Sequence, residues 1–153
     1  MRTLKVAIMA LAILGVAFSS YGSEAARTAT ILDIDGSVSV RLSDGISVPA
    51  EIGMEVGQGD AIATGSGSFA LVRLEGMETA TVEVSENSRV LLSELIMNES
   101  DSSQRTLLDL AMGKVLIKAD KLHNEKSKFE VKTPTSVVGV RGTTFEVQVE
   151  GME

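Results

Sequence analysis

Apolar and polar positions alternate along most of the chain in short runs. Turn residues interrupt them at roughly the 8–12-residue spacing of an all-β domain. Residues 28–34 form a β-prone run. Asp35-Gly36 after it predicts a hairpin turn, because both central positions of such a turn need positive φ. In residues 37–42, Val38, Val40 and Leu42 share one face, and Ser37, Ser39 and Arg41 share the other. Asp44-Gly45 marks a further turn, and residues 46–50 form a short strand that Pro49 places at a sheet edge. Gly53, Gly57 and Gly59 make the next stretch irregular, before residues 60–64 resume as a strand. Gly65-Ser66-Gly67 turns the chain. Residues 69–74 carry apolar side chains on both faces, which predicts a central strand buried on both sides. After Gly76-Met77, residues 79–84 alternate with Ala80, Val82 and Val84 inward. Residues 89–97 follow as another strand beyond Glu86-Asn87.

Residues 98–104 are the most polar stretch and predict a solvated loop. Residues 107–118 are ambiguous. Leu107, Leu108, Leu110 and Ala111 fit a helical period, whereas Val115 and Ile117 fit a strand, with Gly113 between them. The all-β setting favours two strands, with a single helical turn near Leu108 as the alternative. Residues 119–128 read as a polar loop anchored by Leu122. Phe129 and Val131 then face one way and Glu130 and Lys132 the other. Thr133-Pro134 breaks that strand, residues 137–140 are apolar, and Arg141-Gly142 turns the chain. Phe145, Val147 and Val149 alternate against Glu146, Gln148 and Glu150. No exact repeat is visible. The expected fold is all-β: two packed, antiparallel-rich sheets, or a flattened β-roll, of about ten short strands.

The N-terminus stands apart. Arg2 and Lys5 precede an apolar run over residues 6–18, and Ser23-Glu24-Ala25 offers small residues at the −3 and −1 positions of a cleavage site, with Gly22 as an alternative end. Residues 1–25 therefore read as a signal peptide, and residues 26–153 as one β domain. An apolar run this short falls below the roughly 20 residues that span a bilayer, which favours a cleaved signal peptide and leaves anchoring by an uncleaved N-terminal helix as the competing reading. No stable membrane insertion is expected after cleavage. The domain would be periplasmic or secreted. With no cysteine in the chain, there is no lipid attachment through an N-terminal Cys and no disulfide, so packing alone must hold the core.

Charge narrows the partners. Of 14 basic and 21 acidic residues, 12 and 20 remain once Arg2, Lys5 and Glu24 are set aside. An acidic domain of this kind argues against nucleic acid, which is bound through clustered Lys and Arg. Catalytic groups are sparse. His123, the one histidine, lies in a polar loop without an evident partner. Asp33, Asp35, Asp44 and Asp60 fall one per turn and match neither a calcium loop nor a paired-carboxylate site. No glycine-rich stretch leads into a helix with a following Lys-Ser/Thr, so phosphate-binding fingerprints fail on context. The expectation is a protein that is not an enzyme and carries neither metal nor cofactor.

Residues 131–149 read Val-Lys-Thr-Pro-Thr-Ser-Val-Val-Gly-Val-Arg-Gly-Thr-Thr-Phe-Glu-Val-Gln-Val. A strand entering Thr-Pro, an apolar step, Val-Arg-Gly-Thr and then Phe-x-Val resembles the hallmark of the FecR domain. Upstream, Gly36-Ser37-Val38, Pro49-Ala50, Gly59-Asp60-Ala61-Ile62-Ala63-Thr64, residues 68–74, residues 88–92 and Gly113-Lys114-Val115 fit the same family order, so the resemblance spans about residues 30–149. It implies a periplasmic β-rich module. In the name-giving members, that module sits in a transmembrane regulator that passes an iron-uptake signal to a sigma factor. The chain shows neither the N-terminal domain that holds a sigma factor nor the further C-terminal domain that contacts a receptor, so what carries over is the domain rather than the circuit.

Within the motif, Thr133, Pro134, Gly139, Arg141, Gly142 and Thr143 read as structural punctuation. Gly59 and Asp60 join them from an upstream turn. Arg141 is the one charge in an apolar run. Its functional reading is a contact to a ligand or partner. The favoured structural reading is a guanidinium pinned across the fold, with Asp60 as the expected partner. The expected role is an envelope binding module, possessing either an envelope protein partner or self-association through its C-terminal strand. The competing reading is a structural or secreted surface domain without a signalling role.

Overall fold

A computed structural model describes residues 22–150; the first 21 residues of the expected signal peptide lie outside the described residues. The described chain is all-β. Its strands are β1 (Glu24–Ala26), β2 (Thr28–Asp35), β3 (Val38–Arg41), β4 (Ser47–Pro49), β5 (Glu55–Gly57), β6 (Ala61–Thr64) and β7 (Phe69–Leu74). They continue with β8 (Ala80–Val84), β9 (Arg89–Asn98), β10 (Gln104–Ala119), β11 (Lys128–Lys132), β12 (Val137–Val140) and β13 (Thr144–Val149). All belong to one 13-stranded curled sheet, three strands more than the ten or so expected.

The sheet has two limbs joined by β10. In the first limb the order is β4-β3-β6-β9-β10-β11-β12, with β1 paired to the far end of β9. In the second it is β5-β2-β7-β8-β10-β13. Every pairing is antiparallel except β10 with β11. Strand β10 serves both limbs by bending. Gln104 to Met112 pair with β9, and from Gly113 onward the strand pairs with β8 and β13. The segment expected as two strands, or as a helical turn, is thus one continuous strand with a glycine bend.

The inner face of both limbs covers a single aliphatic core, with Ile31, Ile62, Leu74, Leu95, Leu108, Leu110 and Ile117 fully buried. The period-2 expectation holds where one face is covered. In β8, Ala80, Val82 and Val84 are buried and Thr81 and Glu83 are half-buried. Leu122 packs against the core from its loop, as expected. In β7 only one face is buried. Phe69 and Leu71 are half-covered and Arg73 is exposed, so β7 is central in its limb but not buried on both sides.

Asp35-Gly36 does not make a hairpin. Strand β2 pairs with β5 and β7, and β3 with β4 and β6, so the chain changes limbs at Gly36. The physical reason lies in the contact with Ser68. Gly36 has φ +76° and lies so close to the Ser68 side chain that a Cβ would meet it. The Ser68 hydroxyl accepts the Ser37 N–H at 2.8 Å. A matching contact occurs at the bend of β10. Ser88 sits against Gly113, and its hydroxyl accepts the Lys114 N–H at 2.9 Å. The serines end equivalent turns, Ser66-Gly67-Ser68 and Glu86-Asn87-Ser88, in which Gly67 and Asn87 both have positive φ. The limb change at Gly36 and the bend of β10 at Gly113 are therefore both built from a buried serine pressed on a glycine.

At the N-terminal boundary, Glu24 and Ala25 lie in β1 and pair with Asn98 and Met97. Next to them Arg27 is 7% exposed.

Candidate functional site

The C-terminal motif forms the β11–β12 hairpin and the switch into β13. Strand β11 ends where expected. Thr133 is buried, donates its N–H to the Ser136 carbonyl at 2.8 Å, and accepts the Ser136 N–H on its hydroxyl at 3.0 Å. Pro134 is exposed in that turn, where no ladder N–H is required. Gly139 lies in β12 with open space around it. Gly142 has φ +70°, and a Cβ there would meet the backbone of Lys121, while the Thr143 carbonyl accepts the Ala119 N–H at 3.2 Å.

The motif's two glycines thus have different duties. Gly142→Ala is expected to cost about 2–5 kcal/mol, through left-handed backbone strain and a clash with the backbone of the neighbouring loop. Gly139→Ala should stay within about 0.5 kcal/mol of the parent protein, as surface changes do. Urea unfolding of the two variants measures the difference, and equal losses would remove the distinction.

Arg141 is exposed and has no ion pair among the described residues. Its expected partner Asp60 is engaged elsewhere. One Asp60 carboxylate oxygen accepts the Ser43 N–H and the other the Gly57 N–H, both at 2.8 Å. Asp60 and Gly59 therefore fasten the loop between β5 and β6, with the Gly59 N–H donated to the Leu92 carbonyl at 2.8 Å. The pairing fails for a local reason. Backbone donors within reach fill the carboxylate, and β12 lies three strands beyond β6's neighbour β9 in the first limb. Arg141 instead lines a recess of about 280 Å³ with Phe129, Glu130 and Val140.

Beside Arg141 runs the barest edge of the sheet. Strand β12 pairs only with β11. Its Val137 is 61% and Val138 37% exposed, and it contains neither a charge nor a proline. Other free edges are blunted: β4 carries Pro49, β1 and β5 have three residues each including Glu24 and Glu55, and β13 carries Glu146, held by Lys114 at 3.6 Å. His123 is exposed. Its backbone N–H, not its ring, donates to the Glu78 carboxylate at 2.6 Å. Among the described residues no group of three or more His, Cys, Asp or Glu could hold a metal ion.

The FecR family model, described as FecR protein, matches residues 60–153. The chain belongs to the FecR family. No curated protein and no solved structure matches it. The matched part of the FecR chain begins at Asp60, yet β2 and β3 pair with β7 and β6, so residues before the match complete the same sheet. Among the described residues, no helix of this FecR-family chain is long and apolar enough to cross a membrane.

Sequence reasoning missed the most buried charge. Arg27 donates from Nε to the Glu75 carbonyl at 2.8 Å and from Nη1 to the Thr106 hydroxyl at 2.9 Å. Burial pushes its pKa below the ordinary value, and the nearby Glu78 carboxylate works against that shift. The available signal was a lone cation directly preceding an apolar strand.

Proposed function

We propose that this FecR-family chain is an exported, non-enzymatic interaction module of the bacterial cell envelope, which engages an extended segment of a partner protein along the β12 edge. The exposed, uncharged edge of β12 carries the reading. Unpaired backbone groups of such a strand are a template for strand addition, and nearby side-chain pockets supply selectivity. The Arg141 recess lies next to that edge and would orient an acidic or carbonyl-bearing neighbour. Family membership supports an envelope signalling-related role, and the apolar N-terminal run supports export to the periplasm. Cleavage at Gly22 rather than at Ala25 would leave β1 whole.

Val137→Lys places a charge on the edge without touching the core, so it should leave folding within about 0.5 kcal/mol. Capture of the envelope partner by the wild-type domain should be lost in this variant. Self-association is the second outcome: light scattering would then show a concentration-dependent dimer that Val137→Lys abolishes. A wild-type domain that stays monomeric, and recovers the same proteins as Val137→Lys, would sink the proposal.

A further inference from the structure

The outer face of the first limb carries a trough whose chemistry differs from the rest of the surface. Strand β6 presents Ala61 and Ala63 outward, flanked by β3 and β9. Arg41 lies opposite Ala61 and Arg89 opposite Ala63, so the two arginines stand diagonally across a floor of methyl groups. Strand spacing puts their Cα atoms about 12 Å apart. Two adjoining recesses of about 340 and 350 Å³ share Arg41, Gly45, Ala61 and Arg89. Leu91 and Ala111 extend the apolar floor.

Both guanidiniums are exposed, and neither has an ion pair among the described residues, in a chain whose net charge is −7. The other two exposed arginines outside the C-terminal motif, Arg73 and Arg105, are paired with glutamates. The one acid lining the trough, Asp109, turns to Lys132 at 3.9 Å. A charge arrangement that leaves two forked donors free over an apolar floor suits a ligand with two carboxylates joined by small aliphatic groups. No aromatic ring lines the trough to stack on a sugar.

We infer that the trough between Arg41 and Arg89 is a binding site for an extended acidic peptide segment, with carboxylates on the guanidiniums and an aliphatic side chain on Ala61 and Ala63. In an extended peptide, residues four apart lie on one face and span about 13 Å, which matches the arginine spacing.

The test uses the capped peptide Glu-Ala-Leu-Ala-Glu and its Gln-Ala-Leu-Ala-Gln counterpart, titrated into the isotopically labelled domain. The acidic peptide should shift amides of β3, β6 and β9 saturably, weaken with added salt, and bind at least tenfold less tightly to Arg41→Gln/Arg89→Gln. That double variant should melt with the parent protein, because neither arginine makes an internal contact. Ala61→Leu fills the floor without altering charge and should weaken binding as well. Shifts confined to other strands, equal affinity in the double variant, or displacement of the peptide by polygalacturonate would each overturn the assignment. The last would make the trough a site for an anionic glycan.

Discussion

Arg27→Met is expected to lower the unfolding free energy by about 3 kcal/mol. Arg27 stands where the chain passes from β1 to β2, and so from one limb of the sheet to the other. Its backbone N–H is donated to the Leu95 carbonyl at 2.8 Å, and its guanidinium binds the Glu75 carbonyl and the Thr106 hydroxyl. The side chain thus ties β10 and the turn after β7 to the start of β2, while the backbone N–H holds β9. Methionine keeps much of the volume but leaves both acceptors without their donor. Hydrogen bonds to a charged group contribute about 1.5–3 kcal/mol each, and the extra apolar burial offsets part of that.

The loss at Arg27 has a second component. The Glu78 carboxylate, one of whose oxygens is buried without a hydrogen-bond partner, would lose its nearby positive charge. Combining Arg27→Met with Glu78→Gln should therefore cost less than the two single losses added together. Thermal melting should fall by roughly 10 °C in Arg27→Met, given the usual few degrees per kcal/mol for a domain of this size. A loss under about 1 kcal/mol in urea would show that water reaches the site and solvates the arginine.

Strands were legible in the sequence because one covered face forces a period of two. The expectations over residues 79–84 and at Phe129 and Val131 coincide with buried faces. Partners were not legible, because a turn signal states that the chain bends and not which strand it meets next. Asp35-Gly36 has hairpin chemistry, yet Gly36 serves to admit Ser68 and send the chain to the other limb. Arg141 and Asp60 failed as a pair for a similar reason. Opposite charges in a sequence carry no distance, and two backbone N–H groups close at hand satisfied Asp60 first. The C-terminal motif identified the family, because its Thr133 turn is closed by neighbours in sequence. The Arg41–Arg89 trough was hidden, since it arises only when β3, β6 and β9 lie side by side.

Gly113→Ala should be among the most damaging small substitutions in the domain, costing about 2–5 kcal/mol through the sum of two effects. The first is conformational: φ is +89°, where a side chain costs about 1–2 kcal/mol. The second is steric: a Cβ would meet the Ser88 hydroxyl and stand 2.5 Å from the Ser88 Cα, so rotating a side chain cannot relieve it. Overpacking of this kind costs about 1–3 kcal/mol. Ser88 is itself held in place, buried and bonded to Lys114 through the N–H its hydroxyl accepts. Gly53→Ala separates the two effects, because Gly53 has φ +86° with nothing within 4 Å of an added Cβ. The difference in urea midpoint between the two variants then reports the clash alone. Ser88→Gly should not restore Gly113→Ala, because the Cα remains in the way. Full rescue would mean that the side chain, rather than the backbone approach, sets the bend of β10. Equal losses at Gly53 and Gly113 would show that β10 can bend without that close contact, and the two limbs would then owe their angle to the core.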